Sequence, residues 1–310
     1  MLENLLTVFW QVVALFLLMA FGFAGEKSGI INENGSKVLS NISLVFVTPC
    51  LIINSFNIQY DPSKLRGLLI CLAASVLIHT ASILGVELLT RGKATAAEKL
   101  RVVKFAIVFS NAAYMGIPLQ EAVLGADGVF YGSVYVAVFN ITLWTYGVVL
   151  STGNIKEISG KKLLLNPGLI GVTVGILLFL LPIELPSIIS GTISSMAVLN
   201  TPLAMLIIGF YLAKSNILAA LRDKTVYIAA AFKLIVIPLL TLGVMYLCGV
   251  RGAPLVAMVT TASAPTAAAT SMFATKFDND VILSVNLVTV STVFSIITMP
   301  VIVALAQYLM

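Results

Sequence analysis

The sequence predicts an all-α membrane protein of ten transmembrane helices, arranged as two inverted five-helix repeats. Three observations carry that expectation. The 310 residues are 59% hydrophobic and 10% charged, whereas a soluble domain carries about 25% charged residues. So few charges cannot cover a globular surface in water. Several apolar runs exceed the roughly 18 to 20 residues that cross a bilayer, so length does not divide the chain into soluble domains. The basic residues fall in alternate loops between those runs, the pattern that sets membrane topology.

The spans are expected near residues 5–25, 35–57, 65–90, 101–124, 127–151, 164–182, 187–213, 225–248, 253–276 and 280–309. The first is read as a retained helix. No Lys or Arg precedes it, and no clear small-residue cleavage site follows it. Each span must be helical, because unpaired backbone groups cannot face lipid. Short connections hold the turn formers, such as Glu26-Lys27-Ser28-Gly29, Asp61-Pro62-Ser63-Lys64 and Arg91-Gly92-Lys93. With the N-terminus outside, the inner loops hold Lys27 and Lys37, then Arg91, Lys93, Lys99, Arg101 and Lys104, then Lys156, Lys161 and Lys162, then Lys214, Arg222 and Lys224, then Lys276. The outer loops hold Lys64, Arg66 and Arg251. The asymmetry predicts a multi-pass protein of the cell (plasma or inner) membrane with both termini extracytoplasmic. The net charge of +5 is thereby a topology signal, with no nucleic-acid partner implied.

Residues 1–153 form the first expected repeat, 154–163 a basic cytoplasmic link, and 164–310 the second. Homologous halves with an odd number of spans must insert in opposite senses, the plan of many secondary transporters. Weak internal similarity agrees: Val47-Thr48-Pro49-Cys50-Leu51 in span two matches Asn200-Thr201-Pro202-Leu203-Ala204 in span seven. Spans four and nine carry the sharper signal. Span four reads Phe109-Ser110-Asn111-Ala112-Ala113-Tyr114-Met115-Gly116-Ile117-Pro118-Leu119. Span nine reads Thr260-Thr261-Ala262-Ser263-Ala264-Pro265-Thr266-Ala267-Ala268-Ala269-Thr270-Ser271. Each sets a proline deep in the membrane among small or hydroxylated residues. Proline removes a helical hydrogen bond and clashes with the preceding turn, and the freed carbonyls need protein, water or ligand. Paired breaks at matching positions point to a transporter's binding site. Half-helix N-termini after Pro118 and Pro265 would favour an anion there. The competing readings are ordinary proline kinks and, for the Ala-rich ninth span, close helix packing.

The remaining polar groups inside the membrane are few. Lys233, in span eight, either meets an anionic substrate or a proton-cycling carboxylate, or snorkels to the inner face. His79, the one histidine, is a proton-carrier candidate or a packed, hydrogen-bonded ring. Glu87 lies two turns further along the same helix. Glu121, just after the fourth-span break, is a coupling candidate or an interfacial carboxylate. Cys50, Cys71 and Cys248 lie in apolar runs without metal-type spacing and read as packing residues. No metal site, cofactor or P-loop is visible. Coupling to H+ or to Na+, the latter held by backbone carbonyls at the breaks, both stay open.

The stretch from Asn111 to Leu119 resembles the fourth-helix signature of the auxin efflux carrier family, which includes plant PIN-type auxin carriers and bacterial malate or malonate carriers. The resemblance extends over essentially the whole chain in its architecture. It implies a secondary or facilitative carrier of small organic anions that works as an elevator. Spans one, two, six and seven would form a scaffold, through which a homodimer could assemble, and the rest a moving transport domain. It also implies that Asn111 lies beside the substrate carboxylate and that Pro118 and Pro265 mark the crossover. Tyr114, Met115, Gly116, Ile117, Ser263, Thr266 and Thr270 complete the expected substrate site. Two departures bear on substrate: the central link is short, and Glu121 stands where plant carriers tend to be basic. The alternative is a sodium-coupled organic-anion symporter of the bile-acid type, which shares the crossover plan. A channel would need a repeated selectivity sequence, and an enzyme a nucleophile with a base in reach; neither pattern is present in the sequence.

Overall fold

The computed structural model describes residues 2–92, 97–181, 183–215 and 223–310. Lys93 and Arg222, two of the expected inner-loop cations, lie outside the described residues. Helices and the turns between them make up what is described, and the one extended pairing there is an isolated antiparallel bridge between Ser110 and Thr266.

In chain order the helices are α1 (Leu2–Lys27), α2 (Glu33–Ile42) running through a π turn (Ser43–Val47) into α3 (Thr48–Phe56), and α4 (Pro62–Thr90). Then come α5 (Ala97–Val108), a π turn (Ala112–Gly116) leading into α6 (Ile117–Leu124), and α7 (Ala126–Thr142), which continues through a π turn (Leu143–Gly147) into α8 (Val148–Thr152). The link holds a short 3-10 turn (Ile155–Glu157) and α9 (Gly160–Leu164). The second half holds α10 (Pro167–Leu180), α11 (Ser187–Ala197), α12 (Asn200–Lys214), and α13 (Lys224–Ala231) with its π turn (Phe232–Val236) and α14 (Ile237–Leu247). It ends with α15 (Ala253–Ser263), α16 (Ala269–Lys276) and α17 (Val281–Tyr308).

Among the described residues seven helices are long and apolar enough to cross a membrane: Leu6–Lys27, Glu33–Phe56, Pro62–Thr90, Ala126–Thr152, Ser187–Lys214, Lys224–Leu247 and Val281–Tyr308. Pro167–Leu180 and Ala253–Ser263 are apolar but shorter. The surface agrees with an apolar solvent. Phe21, Leu77, Leu247 and Ile297 stand exposed on helix flanks, where water would penalise so much bare hydrocarbon.

Local sequence explains the boundaries. Asn32, Asp61, Asn166, Asp223 and Asp280 each accept a hydrogen bond from a backbone N–H in the first turn of the helix they open. Such caps satisfy donors that a helix start leaves free. At the other end of α8, Gly153 adopts φ 73°, a left-handed turn that glycine makes without a Cβ clash.

Packing gathers the helices into two groups around two centres, which also touch each other where α1 lies along α17 and α7 meets α3 and α10. In one, α1 lies along α12 so closely that a Cβ at Gly209 would collide with the Met19 carbonyl, and one at Gly22 with that of Leu206. Small residues permit this approach where lipid supplies no hydrophobic drive between helices. The α3 segment packs against α10 and α11 in the same group, with Phe56 over Gly175. In the other group α7 is the central rod: every residue from Gly128 to Phe139 is buried. It packs on α4, α6 and α15, and α17 covers α15 and α16.

Candidate functional site

Two segments of the second group do not run through as continuous helices. Helix α5 stops at Val108, residues 109–111 leave the helix with Ser110 bridged to Thr266 and Asn111 in a tight turn at φ −74°, ψ 55°, and helical structure resumes at Ala112. Helix α15 stops at Ser263, and α16 begins at Ala269. The two interruptions meet and satisfy each other. The Asn111 N–H donates to the Pro265 carbonyl at 2.6 Å, and the Ala267 N–H donates to the Phe109 carbonyl at 2.9 Å. The Thr266 hydroxyl donates to the Ala106 carbonyl at 3.1 Å, capping the end of α5, and the Thr266 N–H donates to the Ser291 hydroxyl of α17 at 3.1 Å. All these residues are buried, so each bond answers a backbone group that lipid could not solvate.

The interruption around Pro265 has the cause the sequence offered. A proline drives the preceding residue out of the α region, and Ala264 is extended at φ −61°, ψ 143°. Pro118 behaves differently and corrects the expectation that it marks the break in the fourth segment. The break lies at 109–111, upstream of it. The π turn Ala112–Gly116 takes up the proline instead: the Ile117 N–H reaches back to the Ala112 carbonyl, which widens the helix where the ring would clash. Pro49 and Pro238 are taken up the same way, by Thr48 N–H to Ser43 and Ile237 N–H to Phe232. Among the described residues, the half-helix N-terminus therefore starts at Ala112 rather than after Pro118.

Lys233 lies in the third of these proline-linked π turns. A π turn inserts a residue and re-aims the side chains around it, and such turns gather at functional sites. Lys233 is 1% exposed, and its Nζ donates to the Ser110 hydroxyl inside the break. The snorkelling alternative is thereby excluded. Among the described residues Ser110 is its one hydrogen-bond acceptor, and none of their carboxylates pairs with it. Ser110 Oγ also lies 3.2 Å from the Tyr135 hydroxyl of α7. The Tyr135 ring packs against His79 at 4.8 Å between centroids, tilted by 48°. His79 Nδ1 lies 2.8 Å from the Ser75 carbonyl, so a neutral ring carries its proton on Nδ1 and leaves Nε2 as an acceptor. That Nε2 is buried and has no hydrogen-bond partner among the described residues.

The other expected site residues divide. Asn111, Pro265, Thr266 and Lys233 come together, around Ser110. Asn111 is 5% exposed and its side chain makes no hydrogen bond with the described residues, while its backbone carbonyl accepts from the Met115 and Gly116 N–H groups. Ser263 donates to the Thr260 carbonyl of its own helix. Met115, Gly116 and Ile117 pack the approach to α15, with Gly116 against Thr261. Tyr114 turns away, towards Ser40, Ser43 and Tyr211 of the first group. Thr270 lies apart as well, in a small cavity with Arg101, Ser151 and Asn279. Glu121 accepts from the Thr201 hydroxyl at 3.2 Å, which ties α6 to α12. Glu87 accepts from Lys104 at 2.5 Å and from the Tyr146 hydroxyl at 2.8 Å, so it is held at the end of α4 and does not join His79.

Sequence reasoning missed Tyr135 and Ser291 and did not single out Ser110. Tyr135 offered a signal: a tyrosine in the middle of an apolar run needs a partner for its hydroxyl. Ser291 offered none, since hydroxyls are scattered throughout its helix. The assembled site presents a lysine nitrogen, hydroxyls and a free carboxamide around paired backbone, with no acidic side chain among its members. Donors of this kind bind an oxyanion such as a carboxylate.

Comparison with known proteins agrees in kind. The family described as "Membrane transport protein" matches residues 7–157 and 150–303. A protein named uncharacterized transporter from Methanothermobacter thermautotrophicus is 24% identical over 293 residues, covering 93% of this chain and 95% of its own length. Another of that description from Methanocaldococcus jannaschii is 23% identical over 306 residues, covering 92% and 94%.

Proposed function

The chain belongs to the membrane transport protein (auxin efflux carrier) family, and from that premise we propose that it is a secondary or facilitative carrier of small organic anions, of the carboxylate class. The observation that carries this reading is Lys233. An ammonium buried to 1% exposure, bonded to one hydroxyl at the meeting of two interrupted helices, is costly in a membrane unless an anion joins it. Asn111, with its carboxamide unengaged, is the second donor. The N-termini at Ala112 and Ala269 add partial positive charge.

The fuller architecture belongs to the same proposal. The chain folds as ten membrane spans in two inverted halves, with the interrupted segments as spans four and nine and both termini outside the cell membrane. Transport proceeds as an elevator. The group around α1, α3, α10 and α12 is the scaffold, through which two copies pair. The group around α7 carries the site. Side-chain bonds support that division: Lys64 to Asp127 at 2.6 Å, Ser110 to Tyr135 and Thr266 to Ser291 join the moving group within itself. Thr48 to Asn200 at 3.1 Å and Lys214 to Glu33 do so for the scaffold. Glu121 to Thr201 is one of the few that cross.

The test is a thermal-stability screen of purified protein against mono- and dicarboxylates, with malonate, malate and indole-3-acetate among them, with and without sodium. A bound anion should raise the melting temperature in proportion to occupancy, and Asn111→Ala should weaken that shift while remaining folded. No stabilisation by any carboxylate would count against the reading. Stabilisation only with sodium would favour the sodium-coupled alternative.

A further inference from the structure

The site described above has an unbalanced charge, and its neighbours do not correct it. The π turn that carries Lys233 is packed by α5, α13, α14, α15 and α17. Along α15 and α17 there is no Asp, Glu, Lys, Arg or His. The ionisable side chains of α13 and α14 are Lys224, Tyr227 and Tyr246. Those of α5 are Glu98, Lys99, Arg101 and Lys104, the last already paired with Glu87. From α4 and α7 the titratable groups on this side are His79 and Tyr135, whose rings pack against each other. No carboxylate of these groups reaches the ammonium, and His79 brings a nitrogen lone pair that can take a proton.

From this geometry we infer that Lys233 exchanges its proton with the transport cycle: the empty site holds a neutral amine, and each carboxylate enters together with one proton. The inference rests on the anion-carrier reading. Lys233 is enclosed with one hydroxyl partner and no carboxylate among the described residues, and a buried charge without a counter-charge is costly. A carboxylate that arrives supplies the missing charge, and the pair is then neutral. The balance is simple. Amine, carboxylate and a proton from solution become ammonium and carboxylate in contact, with no other bond made or broken. The elevator step then carries no net charge for a monocarboxylate, loaded or empty. A permanently charged residue at 233 would strand a buried cation in the empty form and slow its return. Ser110 accepts from the nitrogen in the charged form and can donate to it in the neutral one, so it serves both states.

The experiment is titration calorimetry of the intact protein in detergent with malonate and with indole-3-acetate. It is run at pH 8 in buffers of differing ionisation enthalpy, so that the heat reports protons taken up. The wild type should take up close to one proton per anion bound, and affinity should weaken about tenfold per pH unit on the alkaline side. Lys233→Arg, fixed in its charged form, should bind without proton uptake and without that pH slope. His79→Gln should keep both. Binding by the wild type with buffer-independent heat would overturn the inference while leaving the carrier reading intact. Loss of uptake in His79→Gln with retention in Lys233→Arg would also overturn it, by moving the proton to His79. No binding of either probe would remove both readings together. If Lys233→Arg fails to fold, His79→Gln decides: uptake retained there supports the inference, and uptake lost there overturns it.

Discussion

The two interrupted segments look alike in sequence and are built differently. In the ninth, Pro265 lies inside the break, forces Ala264 out of the helix and offers its carbonyl to Asn111. In the fourth, Pro118 lies well past the break, and a π turn absorbs it without interrupting the chain. The fourth break is instead held open by its partner, through the bond from Asn111, the bond to Phe109 and the Thr266 cap on Ala106. One break is thus imposed locally by a proline, and the other is imposed from outside by the first. A membrane proline indicates that a helix must adapt, and the residues before it decide whether it breaks or bulges.

That comparison can be broken by substitution, and the largest effect is expected at Pro265. Pro265→Ala frees Ala264 to continue the helix, so the paired strands lose their pre-formed shape. Carboxylate affinity should fall by about tenfold, or ~1.4 kcal/mol, as the site must then be ordered on binding. Thr266→Val comes next. It keeps the shape but leaves the buried Ala106 carbonyl without its donor, which should cost about 1 to 3 kcal/mol and lower the thermal melting point accordingly. The smallest effect is expected at Pro118→Ala, within about 1 kcal/mol and with affinity changed less than about twofold, because the break does not depend on that ring. Equal losses at Pro118 and Pro265 would show that both prolines act as breaks and that the contrast is wrong.

Much of this was legible in the sequence, and what was hidden has a physical cause. Helix positions followed from apolar runs and the polar connections between them, such as Asp61-Pro62-Ser63-Lys64, because those signals are local. The break around Pro265 was local too. The position of the fourth break was not, since Phe109-Ser110-Asn111 carries no helix breaker and depends on a contact more than a hundred and fifty residues away. Lys233 was visible as an anomaly but its direction was not. A π turn changes which face a residue occupies, and helical periodicity assumes none. Tyr135 and Ser291 reach the site only because α7 and α17 pack against it, and spacing along one chain segment cannot report such packing. Thr270 was assigned by proximity in sequence to Pro265, and the turn that resumes the helix at Ala269 carries it into a separate cavity.

The central claim is that Lys233 holds the substrate carboxylate where the two breaks meet. The most direct measurement is counterflow of labelled malonate and indole-3-acetate into proteoliposomes, comparing the wild type with Lys233→Gln after thermal melts confirm that both are folded. The account predicts saturable accumulation by the wild type for at least one of the two, with apparent affinity lowered by about tenfold or more in the variant. Undiminished affinity in Lys233→Gln, or ohmic currents in place of saturable exchange, would contradict it.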